Sequence, residues 1–235
     1  MSATARITLR YDVPATTASW VLPEEPMPES TPHDHTVELI RCLLAHWVAR
    51  TARNAQVARN LAVRWLREHP NVGIDPDVCL IEPKTPEGDE LESLRTWLPG
   101  HPAPRLAVEV VSGSNARKDY VSAPERYAAS GTTELWVFDP RLAGPRAQGG
   151  PFRLQQWLRD DDEVFRRVVA GDGPFFSPAV QAWVFAVDEG RKLRIAADAE
   201  GTRWWETAEE AERAAKEAAL ARVAELEALL SHPKP

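Results

Sequence analysis

Two carboxylates stand where carboxylates are costly. Glu109 lies inside the apolar run Leu106-Ala107-Val108-Glu109-Val110-Val111, and Asp77 heads a second run, Val78-Cys79-Leu80-Ile81. An unpaired buried carboxylate is expensive, so an acid in such a strand needs a cation, a metal ion or hydrogen bonds. If the two strands are neighbours, both acids converge at one sheet edge and offer oxygen ligands to Mg2+ or Mn2+. Spacing alone leaves a plainer arrangement open. Glu109 could face solvent on an alternating strand while Asp77 ends a turn.

Other constellations carry less. Cys42 and His46 are four apart on a helical pattern, half of a zinc site, but no second pair at ligand spacing follows. A core cysteine beside a rim histidine explains them better. His33 and His35 flank a helix start and could approach a phosphate, although solvent exposure in a capping region accounts for both. The turn Ser112-Gly113-Ser114-Asn115 could offer backbone N–H groups to an anion, and ordinary turn chemistry explains it equally well. No phosphate-loop, dinucleotide or nucleophile-elbow motif is present.

The elements that must position these residues can be read from periodicity. Residues 1–30 hold Pro14, Pro23, Pro26 and Pro28 without sustained periodicity, which predicts an extended arm. Thr31 as cap, Pro32 at the first helical position and Asp34 in the first turn predict a helix to about residue 50. Its apolar face is Val37, Ile40, Leu44 and Trp47. Strands follow at 57–65, 77–81 and 105–111, then a helix over about 117–130, limited by Pro124 and ended by Gly131. Glu134–Phe138 is a fourth strand, so the strand-helix-strand crossover predicts a parallel pair. Residues 152–158 and 164–169 read as a hairpin, and 182–187 and 193–195 as edge strands. The tail from 207 to 230 is helical, with Ala208, Ala211, Ala215, Ala219, Val223, Leu226 and Leu230 in a stripe. Such a stripe suits either packing on its own domain or pairing with a second copy as a coiled coil.

Bulk properties set limits. The 235 residues are 43% hydrophobic and 27% charged, ordinary for a soluble globular chain. The start lacks a signal-peptide pattern and no long apolar run marks a membrane span. Two cysteines are too few for a disulfide framework and read as buried reduced thiols in a cytoplasmic protein. The net charge is −7, with eight acidic and five basic residues in 200–235. An acidic balance does not advertise nucleic-acid binding, though a nuclease can concentrate base locally.

The run Pro76-Asp77-Val78, then Val108-Glu109-Val110-Val111-Ser112, then Asp119, Tyr127-Ala128, Gly131 and Glu134-Leu135-Trp136-Val137-Phe138-Asp139-Pro140 resembles the Uma-type restriction endonucleases of bacteria. That family sits in the PD-(D/E)XK, restriction-endonuclease-like superfamily, and the resemblance covers roughly residues 33–195. It implies an α/β fold, a restriction-endonuclease-like mixed sheet flanked by helices, plus a C-terminal helix. It also implies a metal-dependent DNA endonuclease in which Asp77 and Glu109 hold Mg2+ or Mn2+. The carbonyl of Val110 or Val111 would complete the coordination, and Glu38 is the acid available on the first helix, although a solvated helix-surface residue explains it better. A lysine is expected two residues after the motif acid, where Val111 stands, or one turn beyond Asp119, where Ala123 stands. Lys118, Arg117 and Arg126 are nearby cations that could substitute, with Lys118 the candidate catalytic residue, although a solvated cation at a helix start explains Lys118 slightly better. Losing the lysine should cost orders of magnitude in rate.

Two hypotheses follow. One is a Mg2+-dependent endonuclease acting on DNA, with no membrane association. The other is an inactive nuclease-fold protein that binds or assembles, as a homodimer, through its C-terminal helix. The domain boundaries expected are an arm over 1–30, the nuclease-like domain over 31–198 and the amphipathic helix over 199–235.

Overall fold

The computed structural model describes residues 7–13, 20–22, 30–113 and 115–231. Pro14, Pro23, Pro26 and Pro28 of the expected arm, and Ser114 of the expected turn, lie outside them. The described part of the arm is not merely extended. Arg10–Tyr11 forms a short strand, β1.

Helix α1 spans Thr31–Arg50 and buries Val37, Ile40, Leu43, Leu44 and Trp47. Full burial of such side chains stabilises by roughly 1.5–3 kcal/mol each in transfer terms, which makes this face the helix's main anchor. Thr31 is the first helical residue rather than the cap. Ser30 takes the cap position with its backbone alone, its carbonyl accepting from the Asp34 N–H at 3.0 Å.

The single strand expected at 57–65 is two strands, β2 (Gln56–Ala58) and β3 (Ala62–Arg64). Between them Asn60 takes a positive φ of 50°, a conformation that interrupts a strand and that asparagine tolerates better than most residues. Then come β4 (Val78–Ile81), β5 (Ser93–Arg95) and β6 (Leu106–Val110). The expected regular helix at 117–130 starts as a π-helical turn, Lys118–Ser122, and continues as α2, Ala123–Ser130. Pro124 has no N–H to give to the preceding turn, and the wider turn falls just before it. Gly131 ends α2 in the left-handed region at φ 83°.

Strand β7 (Glu134–Phe138) is followed by β8 (Leu154–Arg159), β9 (Phe165–Gly171), β10 (Phe175–Ser177), β11 (Ala182–Val187) and β12 (Lys192–Ala196). The main sheet is mixed and seven-stranded, in the order β1-β9-β8-β7-β6-β4-β2. Its β6–β7 pair is parallel, as the crossover demands, and β4–β6 is antiparallel. The last two strands are not edges of this sheet; β10-β11-β12 is a separate antiparallel sheet. That small sheet and α1 cover one face of the main sheet, packing Val180, Val184, Leu193 and Ile195 with Leu106, Val108 and Trp136. The opposite face carries Ala107, Val111, Leu135 and Val137 against Tyr120, Ala123 and Tyr127 of the π turn and α2.

Glu134 bolts the two sheets together. Its Oε1 accepts from Trp136 Nε1 at 2.7 Å and Gln156 Nε2 at 2.8 Å. Its Oε2 accepts from Ser177 Oγ at 3.0 Å and the Ala179 N–H at 2.9 Å.

Helix α3 spans Ala208–Ser231. A capping box starts it: the Thr207 N–H donates to Glu210 Oε2 at 2.9 Å, and the Glu210 N–H to Thr207 Oγ1 at 3.1 Å. Residues 212–229 are exposed throughout, so packing on its own domain does not hold along most of this helix. No helix among the described residues is long and apolar enough to cross a membrane.

Candidate functional site

The antiparallel register of β4 and β6 pairs Val78 with Val108. One step further, Asp77 stands across from Glu109, and directly opposed residues in an antiparallel pair share a sheet face. That is the face covered by the π turn and α2. The structure therefore excludes the solvent-facing arrangement: Asp77 is 7% exposed and Glu109 is 1% exposed.

Each acid is held by protein donors. Asp77 Oδ2 accepts from the Val110 N–H at 2.6 Å. Glu109 Oε1 accepts from the Tyr127 hydroxyl at 2.6 Å, while Lys118 Nζ stands 3.9 Å from Glu109 Oε2. Lys118 comes from the π turn and Tyr127 from α2, so the crossover between β6 and β7 supplies both.

His33, at the start of α1, reaches the same spot from the other side of the sheet. Its Nε2 is 2.8 Å from the Val110 carbonyl oxygen and 3.3 Å from Asp77 Oδ2. The ring's side chain is only 8% exposed. Solvent exposure in a capping region, the expectation from sequence, is thus overturned for His33. The helix start lies over the sheet end and directs its first histidine inward.

Electrostatics mark the cluster as strained by negative charge. Burial pushes the Glu109 carboxyl up to about 7, with Asp77 adding to the rise and Lys118 opposing it. Asp119, 4% exposed, is raised well above the carboxylate range by burial and by Glu109. The Glu109 carboxylate in turn raises Lys118. Burial also raises Asp75, whose field is shared by Lys118, Arg64 and Arg126.

Other residues singled out from sequence fall elsewhere or change role. Glu38 pairs with Arg41 at 2.6 Å and with Arg59 at 3.5 Å, and these partners hold its carboxyl at about 2. It is a surface ion-pair residue of α1. Cys42 is half-buried with its thiol near Glu38 at 3.2 Å, so it is not the core cysteine expected; Cys79 is buried, and both are free. Arg126 donates to the Gly73 carbonyl at 3.3 Å and lies over the Trp20 ring at 6.0 Å. Arg117 is exposed. Val111 and Ala123, where a lysine was expected, are buried at 2% and 0% exposure among apolar neighbours.

Sequence reasoning assigned no role to Asp119 or Tyr127, though both lie in the motif run. Both lie on the crossover, Asp119 in the π turn and Tyr127 in α2, whose placement over the Glu109 face local spacing does not mark. A groove of about 580 Å³ lined by His35, Thr36, Leu39, Asp188, Glu189, Arg191 and Lys192 includes none of the carboxylates of this cluster.

The oxygens fit a hard divalent cation by their chemistry: two carboxylates, a strand carbonyl and a local excess of buried negative charge. They do not form a finished cage. Among the described residues no three His, Cys, Asp or Glu side chains stand together at metal-ligand spacing.

The chain is a mixed α/β protein, its sheet flanked by helices and carrying buried acids at the shared end of two strands. Residues 23–164 match the Uma2 family, described as "Putative restriction endonuclease", and the chain belongs to that family. The match ends earlier than the resemblance suggested, before β9. A crystal structure from Anabaena variabilis, titled as a putative nuclease belonging to DUF820, is similar at 15% identity with a TM-score of 0.44. The similarity covers 66% of this chain and 76% of that one. Among curated proteins, none matches the chain.

Proposed function

We propose that this protein is a divalent-metal-dependent endonuclease that hydrolyses phosphodiester bonds in DNA, with its catalytic unit in residues 31–198. The observation that carries this is the burial of Asp77 and Glu109 across from each other at one sheet end. Two such acids raise each other's cost of burial, and a bound cation would relieve them beyond what Lys118 and the hydrogen-bond donors do.

Asp77, Glu109 and the Val110 carbonyl would hold Mg2+ or Mn2+. When bound, the ion would lower the pKa of a water and offset charge on the scissile phosphate. The protein's own residues supply the rest. The Val110 N–H fixes Asp77, and the Tyr127 hydroxyl fixes Glu109. Lys118, whose side chain is 42% exposed beside the buried Glu109, would be the cation to meet the phosphate in lieu of a lysine at Val111 or Ala123.

The test is cleavage of plasmid and single-stranded DNA with Mg2+ or Mn2+, beside Asp77→Ala and Glu109→Ala. Metal-dependent cutting lost in both variants supports the proposal. Absence of cutting at high protein with either ion overturns it for those substrates.

One observation favours a second reading, an inactive assembly protein. Helix α3 exposes Leu220 at 61%, Val223 at 51%, Leu226 at 44% and Leu229 at 64%. A second copy of the same helix would cover this face, forming a homodimer. Light scattering of the full chain beside Val223→Ser/Leu226→Ser checks it, since a dimer should become a monomer.

A further inference from the structure

The position of His33 bears on which ion the site takes. Its Nε2 lies 2.8 Å from the Val110 carbonyl oxygen and 3.3 Å from Asp77 Oδ2. Both oxygens are nominated ligands. Adjacent ligands of a six-coordinate ion with bonds of about 2.1 Å stand about 3 Å apart. The two contacts of His33 are hydrogen-bond and ion-pair contacts in the absence of an ion, and their lengths are also compatible with neighbouring ligands around one. The His33 ring, its side chain 8% exposed, is turned inward onto both acceptors at the sheet end.

We propose that His33 is a nitrogen ligand of the metal site and tilts it toward first-row transition ions such as Mn2+ and away from Mg2+. This rests on the proposal that Asp77 and Glu109 hold a divalent cation. An all-oxygen set of carboxylates and a carbonyl suits Mg2+, which keeps its waters and demands hard ligands. One imidazole among them favours transition ions, whose affinity for nitrogen is greater. Without the ion, Nε2 faces two acceptors and so carries the ring proton. To ligate, the ring shifts to the tautomer protonated at Nδ1, and Nε2 presents its lone pair. The same nitrogen thus holds the two oxygens together before the ion arrives and joins them afterwards.

The arrangement also accounts for a site without three convergent side chains. Asp77 and His33 touch each other, Glu109 stands across the strand pair, and the third oxygen is a backbone carbonyl. A cation would draw these groups together from two elements, α1 and the β4–β6 pair.

The experiment is ion binding to the purified full chain, by calorimetry for Mg2+ and by electron paramagnetic resonance for Mn2+, with pulsed detection of nitrogen coupled to bound Mn2+. Wild type, His33→Ala, His33→Gln and Asp77→Asn are compared, each checked for native unfolding behaviour. Glutamine keeps a hydrogen bond to the Val110 carbonyl but offers no ring nitrogen. Expected are a nitrogen signal in wild type and its loss in both His33 variants. The Mn2+ affinity of those variants should fall at least about 10-fold while Mg2+ affinity changes little. Asp77→Asn should weaken both ions.

A wild type without the nitrogen signal, or an unchanged Mn2+-to-Mg2+ ratio in His33→Gln, overturns the role of His33 while leaving the carboxylate site intact. Failure of the wild type to bind either ion, or binding indifferent to Asp77→Asn, overturns the metal site itself.

Discussion

The backbone N–H of Val110 donates to Asp77 Oδ2 at 2.6 Å, so the strand that carries Glu109 also fixes the acid facing it. The two carboxylates are held at the sheet end by the fold before any ligand arrives. Such preorganisation has a cost in the unliganded protein, and that cost can be measured.

Glu109 is where it should show. Burial lifts its carboxyl from the ordinary 4.5 to about 7. A folded-state pKa above the unfolded one means that folding takes up a proton in this window. Its contribution to stability is complete below pH 4.5 and is lost as pH rises through 7. Glu109→Gln keeps an acceptor for the Tyr127 hydroxyl and removes the charge. At pH 8 it should therefore stabilise the metal-free protein, by on the order of 1–3 kcal/mol at about 1.4 kcal/mol per pKa unit. Urea unfolding at pH 5 and pH 8 checks this. The variant's gain should shrink at the lower pH, and a destabilised variant at pH 8 would contradict the account.

Tyr127 tests the donor side of the same bond. Tyr127→Phe removes the hydroxyl that donates to Glu109 Oε1 at 2.6 Å and leaves the buried ring in place. The carboxylate loses a group that favours its charged form, so metal affinity and cleavage should each fall about 10-fold. Calorimetry with Mn2+ beside a cleavage assay would read both. Equal behaviour of variant and wild type would mean that the hydroxyl only fills the core.

The acids were legible because an acid inside an apolar strand breaks a local rule, and such breaks concentrate at functional sites. Asp77 and Glu109 needed only their own strands to be noticed. His33 was not legible, because its two contacts come from residues 44 and 77 positions away, and nothing local distinguishes it from His35. Strand 57–65 failed for the opposite reason. Its alternation was right on both halves, but Asn60 at φ 50° breaks it and sends β3 to pair with β5. The lysine absent at Ala123 was visible from the residues, whereas the π turn that brings Lys118 to Glu109 was not.

Glu134 should matter to stability and not to chemistry. Four donors converge on its two oxygens from both sheets, and none belongs to the Asp77–Glu109 cluster. Glu134→Ala leaves Trp136, Ser177 and the Ala179 N–H without this acceptor, while Gln156 keeps its bond to the Phe176 carbonyl. An unsatisfied buried polar group costs roughly 1–3 kcal/mol, so a loss of at least about 3 kcal/mol is expected. Thermal unfolding reads it directly, and metal binding per folded molecule should stay at the wild-type value. A change under 1 kcal/mol would show that water replaces the carboxylate easily at that junction.

Under the proposed nuclease function, Lys118 is the cation whose replacement tests the chemical step. Its Nζ stands 3.9 Å from Glu109 Oε2 and its side chain is 42% exposed, so it can turn from the carboxylate toward a phosphate at the surface. If it fills the place of the missing lysine, Lys118→Met should lower the cleavage rate about 100-fold or more while leaving DNA affinity within a few-fold. Lys118→Arg keeps the charge but neither the point geometry nor a releasable proton, and should restore only part of the rate. Single-turnover kinetics separates the chemical step from binding. A Lys118→Met protein that cuts at the wild-type rate would free Lys118 of any catalytic role. The second cation near Glu109, Arg126, would then be the one to change, although its hydrogen bond to Gly73 and its place over Trp20 hold it more tightly than Lys118 is held.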